Sequence, residues 1–145
     1  MEIQRNLPEN RGAPVCVMAA DGLEDVEFTT VVDVLHRGGV AVASMGLQGA
    51  GNVVEATHGL RFLPDLAWDA ATALESPLLV LPGGMGGVNR LRADAALLGV
   101  IRERVRLGRP VAAICAGPMV LFEAGVMDGA YFTGRSEERR VGKEC

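Results

Sequence analysis

Short, uninterrupted apolar runs alternate along this chain with longer segments in which apolar residues recur at helical spacing. The apolar runs cover residues 15–20, 40–45, 78–81 and 110–114. Runs of this length are typical of strands that are buried on both faces of a parallel sheet. The longer segments predict helices over residues 24–37, 94–107 and 118–124. This alternation predicts an α/β fold in which helices cover both faces of a parallel sheet.

The inner faces of the first two helices follow from the same spacing. In residues 24–37 the apolar positions match one helical face only roughly, and they are Val26, Val31, Val34 and Leu35. In residues 94–107 the predicted inner face consists of Ala96, Leu97, Val100, Ile101 and Val105. We therefore expect the second of these helices to pack on the sheet through a continuous apolar stripe.

The remaining segments carry weaker signals. Residues 52–56 and 60–63 predict a small hairpin whose turn contains Thr57, His58 and Gly59. Residues 65–74 are acidic and rich in alanine, which is compatible with a short helix or with irregular chain. Residues 1–14 are polar and predict a loose leader ahead of the domain.

The most informative segment is residues 111–117, VAAICAG, which ends an apolar run on Cys115. Pro118 is acceptable in the first turn of a helix, so Cys115 is predicted to lie where a strand gives way to a helix. The N–H groups at a helix N-terminus favour a thiolate over a thiol, and a thiolate is the reactive form. A small, buried core cysteine is the alternative, and this segment alone leaves both open.

Three loops are predicted at the carboxyl ends of the strands, where α/β folds bind ligands. They are residues 21–27, 82–87 and 115–118. Gly84 could bring its backbone close to a ligand, and the Ala116 N–H lies beside Cys115, so both are candidates for an oxyanion hole. The alternative for residues 83–87 is a simple turn. In the first loop, we expect Glu24 and Asp25 to complement the helix dipole and to do nothing more.

Composition and charge narrow the function classes. The chain has 145 residues, enough for one domain, with 49% hydrophobic and 4% aromatic residues. A net charge of −4 and the lack of a basic patch argue against nucleic-acid binding. Cys16, Cys115 and Cys145 show neither CxxC nor metal-ligand spacing, which argues against a disulfide framework or a metal site. With no long apolar stretch and no signal sequence, we expect a soluble, cytoplasmic protein that does not bind membranes.

Nucleotide cofactors are a natural alternative for a glycine-rich α/β chain. The GxGxxG fingerprint should follow the first strand, but that position reads DGLEDVE, whose acidic residues would repel a pyrophosphate. Residues 82–89 read PGGMGGVN, which does not fit the spacing, and no Walker motif occurs. We therefore expect no cofactor. His36 and His58 fall in segments not expected beside Cys115, so a Cys–His dyad is not predicted.

Three motifs together resemble those of the DJ-1/ThiJ/PfpI family, in particular its DJ-1 and bacterial chaperone-like branch. They are GLEDVE at residues 22–27, LPGG at 81–84 and AAICAGP at 112–118. The resemblance covers residues 15–134. It implies a flavodoxin-like fold, of the class I glutamine amidotransferase type, in which helices sandwich a parallel sheet. It also implies a homodimer.

The resemblance assigns candidate roles in a reactive site. Cys115 matches the family's nucleophilic, oxidation-sensitive cysteine, and Glu27 matches the protonated glutamate that hydrogen-bonds to it. Gly84 and Ala116 match the backbone donors near the thiolate.

Two further positions match residues near the family's dimer interface and its anion pocket. These positions are Arg37 and His58. The family usually has arginine at the second of them, so His58 is a departure from the pattern.

The activities of the family imply a function. We expect a cofactor-independent glyoxalase or deglycase that acts on small reactive aldehydes or their adducts, with Cys115 as nucleophile and Glu27 as general acid and base. The alternative is a redox-sensing chaperone in which Cys115 is oxidised to a sulfinate held by Glu27, without turnover. An intracellular peptidase and a glutamine amidotransferase are weaker alternatives, because both need a histidine beside the cysteine.

The family pattern breaks after Gly134, where the chain continues as RSEERRVGKEC. This segment mixes basic and acidic side chains and has no apolar face that could dock on a core. We expect residues 135–145 to be a foreign or disordered tail and the domain at 15–134 to be incomplete at its C-terminus.

Overall fold

Five parallel strands form the main sheet of the computed structural model, which describes residues 12–48 and 51–129. These strands are β1 (Val15–Ala19), β2 (Val42–Gly46), β5 (Leu66–Ala67), β6 (Leu79–Leu81) and β7 (Val111–Ala113). Their order in the sheet is β5-β2-β1-β6-β7, which places β1 at the centre. A separate antiparallel hairpin consists of β3 (Val54–Glu55) and β4 (Arg61–Phe62).

Five helices accompany these strands in the described residues. They are α1 (Asp25–Arg37), α2 (Ala70–Glu75), α3 (Met85–Ala93), α4 (Ala95–Arg106) and α5 (Pro118–Glu123). No helix within residues 12–48 and 51–129 combines the length and apolar character that crossing a membrane requires.

The central strand β1 supplies both faces of the core, because successive side chains of a strand point to opposite sides. Cys16 and Met18 belong to one apolar cluster, together with residues of α3, α4 and α5. Val17 and Ala19 belong to the other, together with Phe28 of α1. All five residues of β1 are buried. The predicted α/β sandwich is therefore confirmed.

The hairpin and most of the predicted strands and helices occur within about two residues of their expected bounds. The segment at residues 65–74 differs, because it contains both the strand β5 and most of α2. Asp65, just before β5, accepts hydrogen bonds from the backbone N–H and the hydroxyl of Ser44 at 3.0 and 2.8 Å. A strand of two residues that depends on such tertiary contacts leaves no periodic signal in the sequence.

Helix α3 is not among the helices predicted from the sequence, where a simple turn was one interpretation of residues 83–87. Two glycines lie in its first turn, although glycine is a poor helix former. A β-carbon on Gly86 would lie 2.9 Å from the Gly22 α-carbon, and one on Gly87 would lie 2.9 Å from the Leu23 nitrogen. Close packing against the loop between β1 and α1 therefore outweighs the low helix propensity of these residues.

The predicted inner face of the fourth helix is wrong at two positions. Ala96 is exposed and Val105 is 47% exposed, whereas Arg104 is fully buried on the inner face. On α1, the imperfect match also has a structural basis, since Val26 and Val34 are exposed while Phe28 is buried.

Parts of the predicted organisation lie outside the described residues. They include residues 1–11 of the predicted leader, residues 130–134 at the end of the predicted domain, and the tail at 135–145 with Cys145.

Candidate active site

Cys115 lies at a sharp bend between β7 and α5. Its φ angle is +55°, and it is the one residue other than glycine with a positive φ in the described part of the chain. Such a backbone costs about 1–3 kcal/mol and is typical of functional sites. The bend is held by hydrogen bonds from Ile114 N to Leu81 O at 3.1 Å and from Gly117 N to Ile114 O at 2.7 Å. The predicted strand-to-helix position of Cys115 is therefore confirmed.

The residues after Cys115 make this bend possible. A β-carbon on Gly117 would overlap the Leu81 carbonyl oxygen and would lie 2.9 Å from the Ile114 nitrogen. Only glycine fits there. Pro118 then begins α5, where its lack of an N–H costs nothing.

Gly83 brings Glu27 to Cys115. The Gly83 N–H donates a hydrogen bond to Glu27 Oε2 at 2.7 Å. A β-carbon on Gly83 would overlap Glu27 Oε2 and would lie 3.0 Å from the Cys115 β-carbon and 3.1 Å from the Ala116 nitrogen. Three of the predicted site residues therefore surround one α-carbon. Cys115 and Glu27 are both half-buried, and Ala116 is buried.

Gly84 holds this arrangement against the loop between β1 and α1. Its φ angle is +88°, and a β-carbon on it would overlap Glu24 N and lie 2.6 Å from Gly22 O. The Glu24 N–H donates to the Gly83 carbonyl oxygen at 3.0 Å. Gly83 is thus bonded twice to the start of α1, by its oxygen to the backbone of Glu24, which precedes the helix, and by its nitrogen to the Glu27 side chain.

Two carboxylates bind the hairpin, Asp21 from the same loop and Asp25 from the first turn of α1. Asp21 Oδ1 accepts from Glu55 N at 2.9 Å, and Asp21 Oδ2 accepts from Gln48 Nε2 at 2.8 Å. These two hydrogen bonds lower the pKa of Asp21. Partial burial acts to raise the pKa of Asp25, but hydrogen bonds from the backbone N–H groups of His58 and Leu60 outweigh it, so that pKa also lies below its ordinary value.

A comparison with known protein families identifies the family of this chain. A model described as the DJ-1/PfpI family matches residues 13–141. The chain belongs to the DJ-1/PfpI family. The match extends past Gly134, and the origin of residues 135–145 stays a prediction.

Relatives and a solved structure agree with this assignment. Protein dj-1beta of Drosophila melanogaster is 36% identical over 117 residues, which covers 81% of this chain and 62% of the relative. The chain thus spans less than two thirds of that relative's length. Protein/nucleic acid deglycase 2 of Escherichia coli (strain K12) is 35% identical over 120 residues, covering 82% of this chain and 69% of the relative.

The fold is shown by superposition. The crystal structure of Drosophila melanogaster DJ-1beta matches with a TM-score of 0.72 and 35% identity, covering 79% of this chain and 61% of that chain. The flavodoxin-like fold of the DJ-1/PfpI family is therefore confirmed for this chain.

The chain does not bring Arg37 and His58 together. Arg37 lies in the last turn of α1, where its Nε is 2.8 Å from Asp33 Oδ2. His58 lies near the first turn of α1, with its Nε2 at 3.2 Å from Glu24 Oε1. Their expected roles in the family's interface and anion pocket stay predictions, as do the oxyanion-hole roles of Gly84 and Ala116.

For two residues of this site, the sequence does not predict the contacts that the structure shows. Gly83 is the residue on which Glu27 and Cys115 meet, although the LPGG motif drew attention to Gly84. Asp25 binds the hairpin, whereas only a dipole interaction was expected. The signal for Gly83 was the pair of glycines after a buried strand, but only packing shows which of the two approaches the cysteine.

Proposed function

We propose that this DJ-1/PfpI protein is an enzyme that needs no cofactor and acts on small reactive carbonyl compounds or their adducts. The observation that supports the proposal most directly is the meeting of the Glu27 carboxyl group with Cys115 at the α-carbon of Gly83. The relative named protein/nucleic acid deglycase 2 supports the substrate class.

The proposed reaction with methylglyoxal begins at the sulfur of Cys115. The thiolate attacks the aldehyde carbon, C1, and forms a carbon–sulfur bond, while the C=O π electrons move to the oxygen. The backbone N–H groups of Gly84 and Ala116 stabilise this oxyanion. The protonated Glu27 carboxyl group then gives its proton to the oxygen, which yields a neutral hemithioacetal and leaves Glu27 as a carboxylate.

Glu27 next acts as a base and then as an acid. Its carboxylate removes the C1 proton, and the resulting enediolate takes that proton back at C2. The hydroxyl proton of C1 passes to the C2 oxygen, which leaves a lactoyl thioester on Cys115. Water hydrolyses the thioester to lactate, and the thiol proton of Cys115 then passes to the Glu27 carboxylate, which restores the thiolate and the protonated Glu27. General acid–base catalysis of this kind contributes roughly 10²–10⁴ to a rate.

The setting of the reaction is also part of the proposal. Exposed apolar side chains on α1 and at the outer ends of the hairpin strands support a homodimer, with Val26 68%, Val34 58%, Val53 52% and Leu63 62% exposed. An odd number of cysteines without disulfide spacing supports a reducing, cytoplasmic location.

Lactate formation from methylglyoxal by purified protein tests the reaction. We expect Cys115→Ala to abolish turnover, because it removes the nucleophile, and Glu27→Gln to lower it by about 100-fold or more, because the amide cannot transfer the proton. Cys16→Ala is the matched control. Cys16 is fully buried in β1, and burial raises the pKa of its thiol, so its loss should leave kcat unchanged.

Two outcomes would contradict the proposal. Lactate production by Cys115→Ala at the wild-type rate would exclude Cys115 as the nucleophile. Absence of lactate from the wild-type protein, together with oxidation of Cys115 to a sulfinate by mild peroxide in mass spectrometry, would favour the redox-sensing alternative.

A further inference from the structure

The loop between β1 and α1 lies between the hairpin on one side and the glycine-rich start of α3 on the other. On the hairpin side, Gly22 N donates to Glu55 O at 2.8 Å and Thr57 N donates to Leu23 O at 2.9 Å. On the α3 side, Glu24 N donates to Gly83 O at 3.0 Å. The position of this loop against Gly83 therefore depends on contacts from both sides.

Asp25 supplies two of the contacts on the hairpin side. Its Oδ2 accepts from His58 N at 2.8 Å, and its Oδ1 accepts from Leu60 N at 3.0 Å. Both oxygens of one carboxylate are thus bonded to backbone N–H groups on either side of Gly59. A carboxylate that only complemented a helix dipole would not need these partners.

Glu27 follows Asp25 by two residues in the same first turn of α1. The Glu27 carboxyl group reaches Gly83 N at 2.7 Å only while the start of α1 keeps its place relative to Gly83. The hydrogen bond from Glu24 N to Gly83 O holds the start of α1 directly. The hairpin holds it indirectly, through its hydrogen bonds to the loop before α1.

We propose that Asp25 is a positioning residue, which holds the hairpin on the loop between β1 and α1 and thereby holds Glu27 on Gly83 beside Cys115. This inference rests on the proposed role of Glu27 in proton transfer. Asp25 itself does not touch the reacting atoms.

Hydrogen exchange of the Gly83 amide, measured by NMR on the purified full chain, tests the positioning without any substrate. The Gly83 N–H is the donor to Glu27, so its protection reports that contact. We expect Asp25→Ala to speed its exchange by about tenfold, since a local opening releases this bond without global unfolding. Asp25→Asn should have a smaller effect, because the amide keeps one acceptor oxygen.

Asp69→Ala is the matched control. Like Asp25, Asp69 is a carboxylate at a helix start that accepts from a backbone N–H, bonding to Thr72 N at 2.8 Å, but it caps α2. We expect Asp69→Ala to leave Gly83 exchange unchanged. Equal exchange at Gly83 in the two alanine variants would overturn the inference, as would an equal increase at Gly83 and along α4. Should Asp25→Ala not fold, Asp25→Asn is compared with Asp69→Asn under the same criteria.

Steady-state kinetics provides a second measurement. We expect Asp25→Ala to lower kcat by about tenfold, with KM within about twofold, because a misplaced acid–base group affects the chemical step more than binding. Absence of lactate from the wild-type protein would count against the proposed function, while Gly83 exchange would still decide the role of Asp25. Unchanged kcat in Asp25→Ala would overturn the inference.

Discussion

The α-carbon of Gly83 is the point at which a carboxyl group and a sulfur-bearing side chain approach each other. Any other residue type at this position would displace its neighbours, because a β-carbon would overlap Glu27 Oε2 and crowd Cys115 and Ala116. The glycine is required here for space and not for backbone freedom, since its φ is not positive.

We expect Gly83→Ala to lower lactate formation by about 100-fold, because displacing Glu27 by about 1 Å disrupts the reacting geometry. The variant should also lose about 1–3 kcal/mol of unfolding free energy through overpacking. Lactate assays and thermal unfolding provide the two measurements.

Gly99→Ala is the control for this substitution. A β-carbon on Gly99 in α4 would meet nothing within 4 Å, so this change should raise stability by about 0.5–1 kcal/mol and leave turnover unchanged. Wild-type turnover in Gly83→Ala would show that the crowding at this α-carbon has no catalytic consequence.

At this scale the sequence identified Cys115 and Glu27 through motifs, because nucleophile and carboxylate are recognisable side chains. The part played by Gly83 could not be found in the same way. Glycine has no side chain, and its importance comes from atoms of residues 27, 115 and 116 that only the folded chain brings together.

Among the elements, α2, α4 and β7 are joined by one buried arginine. Arg104 Nη1 donates to the carbonyl oxygens of Ala73, Leu74 and Ser76 at 2.7, 3.0 and 2.8 Å, and its Nη2 donates to Pro110 O at 2.7 Å. These carbonyl groups lie at the end of α2 and just before β7. A single guanidinium group thus donates hydrogen bonds to the carbonyl groups at the end of α2 and holds the start of the strand that leads to Cys115.

We expect Arg104→Met to lower the free energy of unfolding by about 2–4 kcal/mol, because buried carbonyl groups lose their donor. Urea denaturation measures this change. Arg106→Met is the control. Arg106 lies in the same helix and forms an ion pair with Glu103 at the surface, so its loss should leave the free energy of unfolding nearly unchanged. Equal midpoints for the two variants would contradict the role assigned to Arg104.

The helical spacing of α4 indicates that Arg104 lies on the buried face of the helix. Arg104 falls three and seven positions after Ile101 and Leu97, on the face that both of them bury. An arginine on such a face needs acceptors, but the sequence does not show where they come from. The preference for apolar residues instead favoured Val105, which the structure places in solvent.

At the scale of the whole molecule, exposed apolar side chains on α1 and beside the hairpin favour association of two copies of the chain. Val26 and Leu63 are each more than 60% exposed, although residues of their type are usually buried. Val26 belongs to α1, and Leu63 directly follows β4 of the hairpin. These two elements lie on the same face of the sheet, because they contribute to one apolar cluster through Phe28 and Val54.

We expect sedimentation velocity to show a dimer for the wild-type protein and a monomer for Val26→Glu, since a carboxylate placed in an apolar interface is strongly unfavourable. Val105→Glu is the control, because Val105 is 47% exposed on α4, which packs on the opposite face of the sheet. A monomeric wild-type protein, or a dimer that Val26→Glu does not weaken, would contradict the proposed assembly.

The α/β class and the three loops at the strand ends could be predicted, because buried parallel strands leave short apolar runs. The two-residue strand β5 and the glycine-containing helix α3 could not be predicted, because their stability comes from contacts with Ser44, Gly22 and Leu23. The local sequence predicts an element whose stability comes from its own residues. It does not predict an element whose stability comes from contacts with distant segments.

The strand order has a further consequence for synthesis of the protein. Glu27, Gly83 and Cys115 follow β1, β6 and β7, so the last of the three reaches its place only when β7 has paired with β6. During synthesis, β1 and β6 are made before β7 and the cysteine that follows it. The reactivity proposed for Cys115 therefore depends on the pairing of β7 with β6.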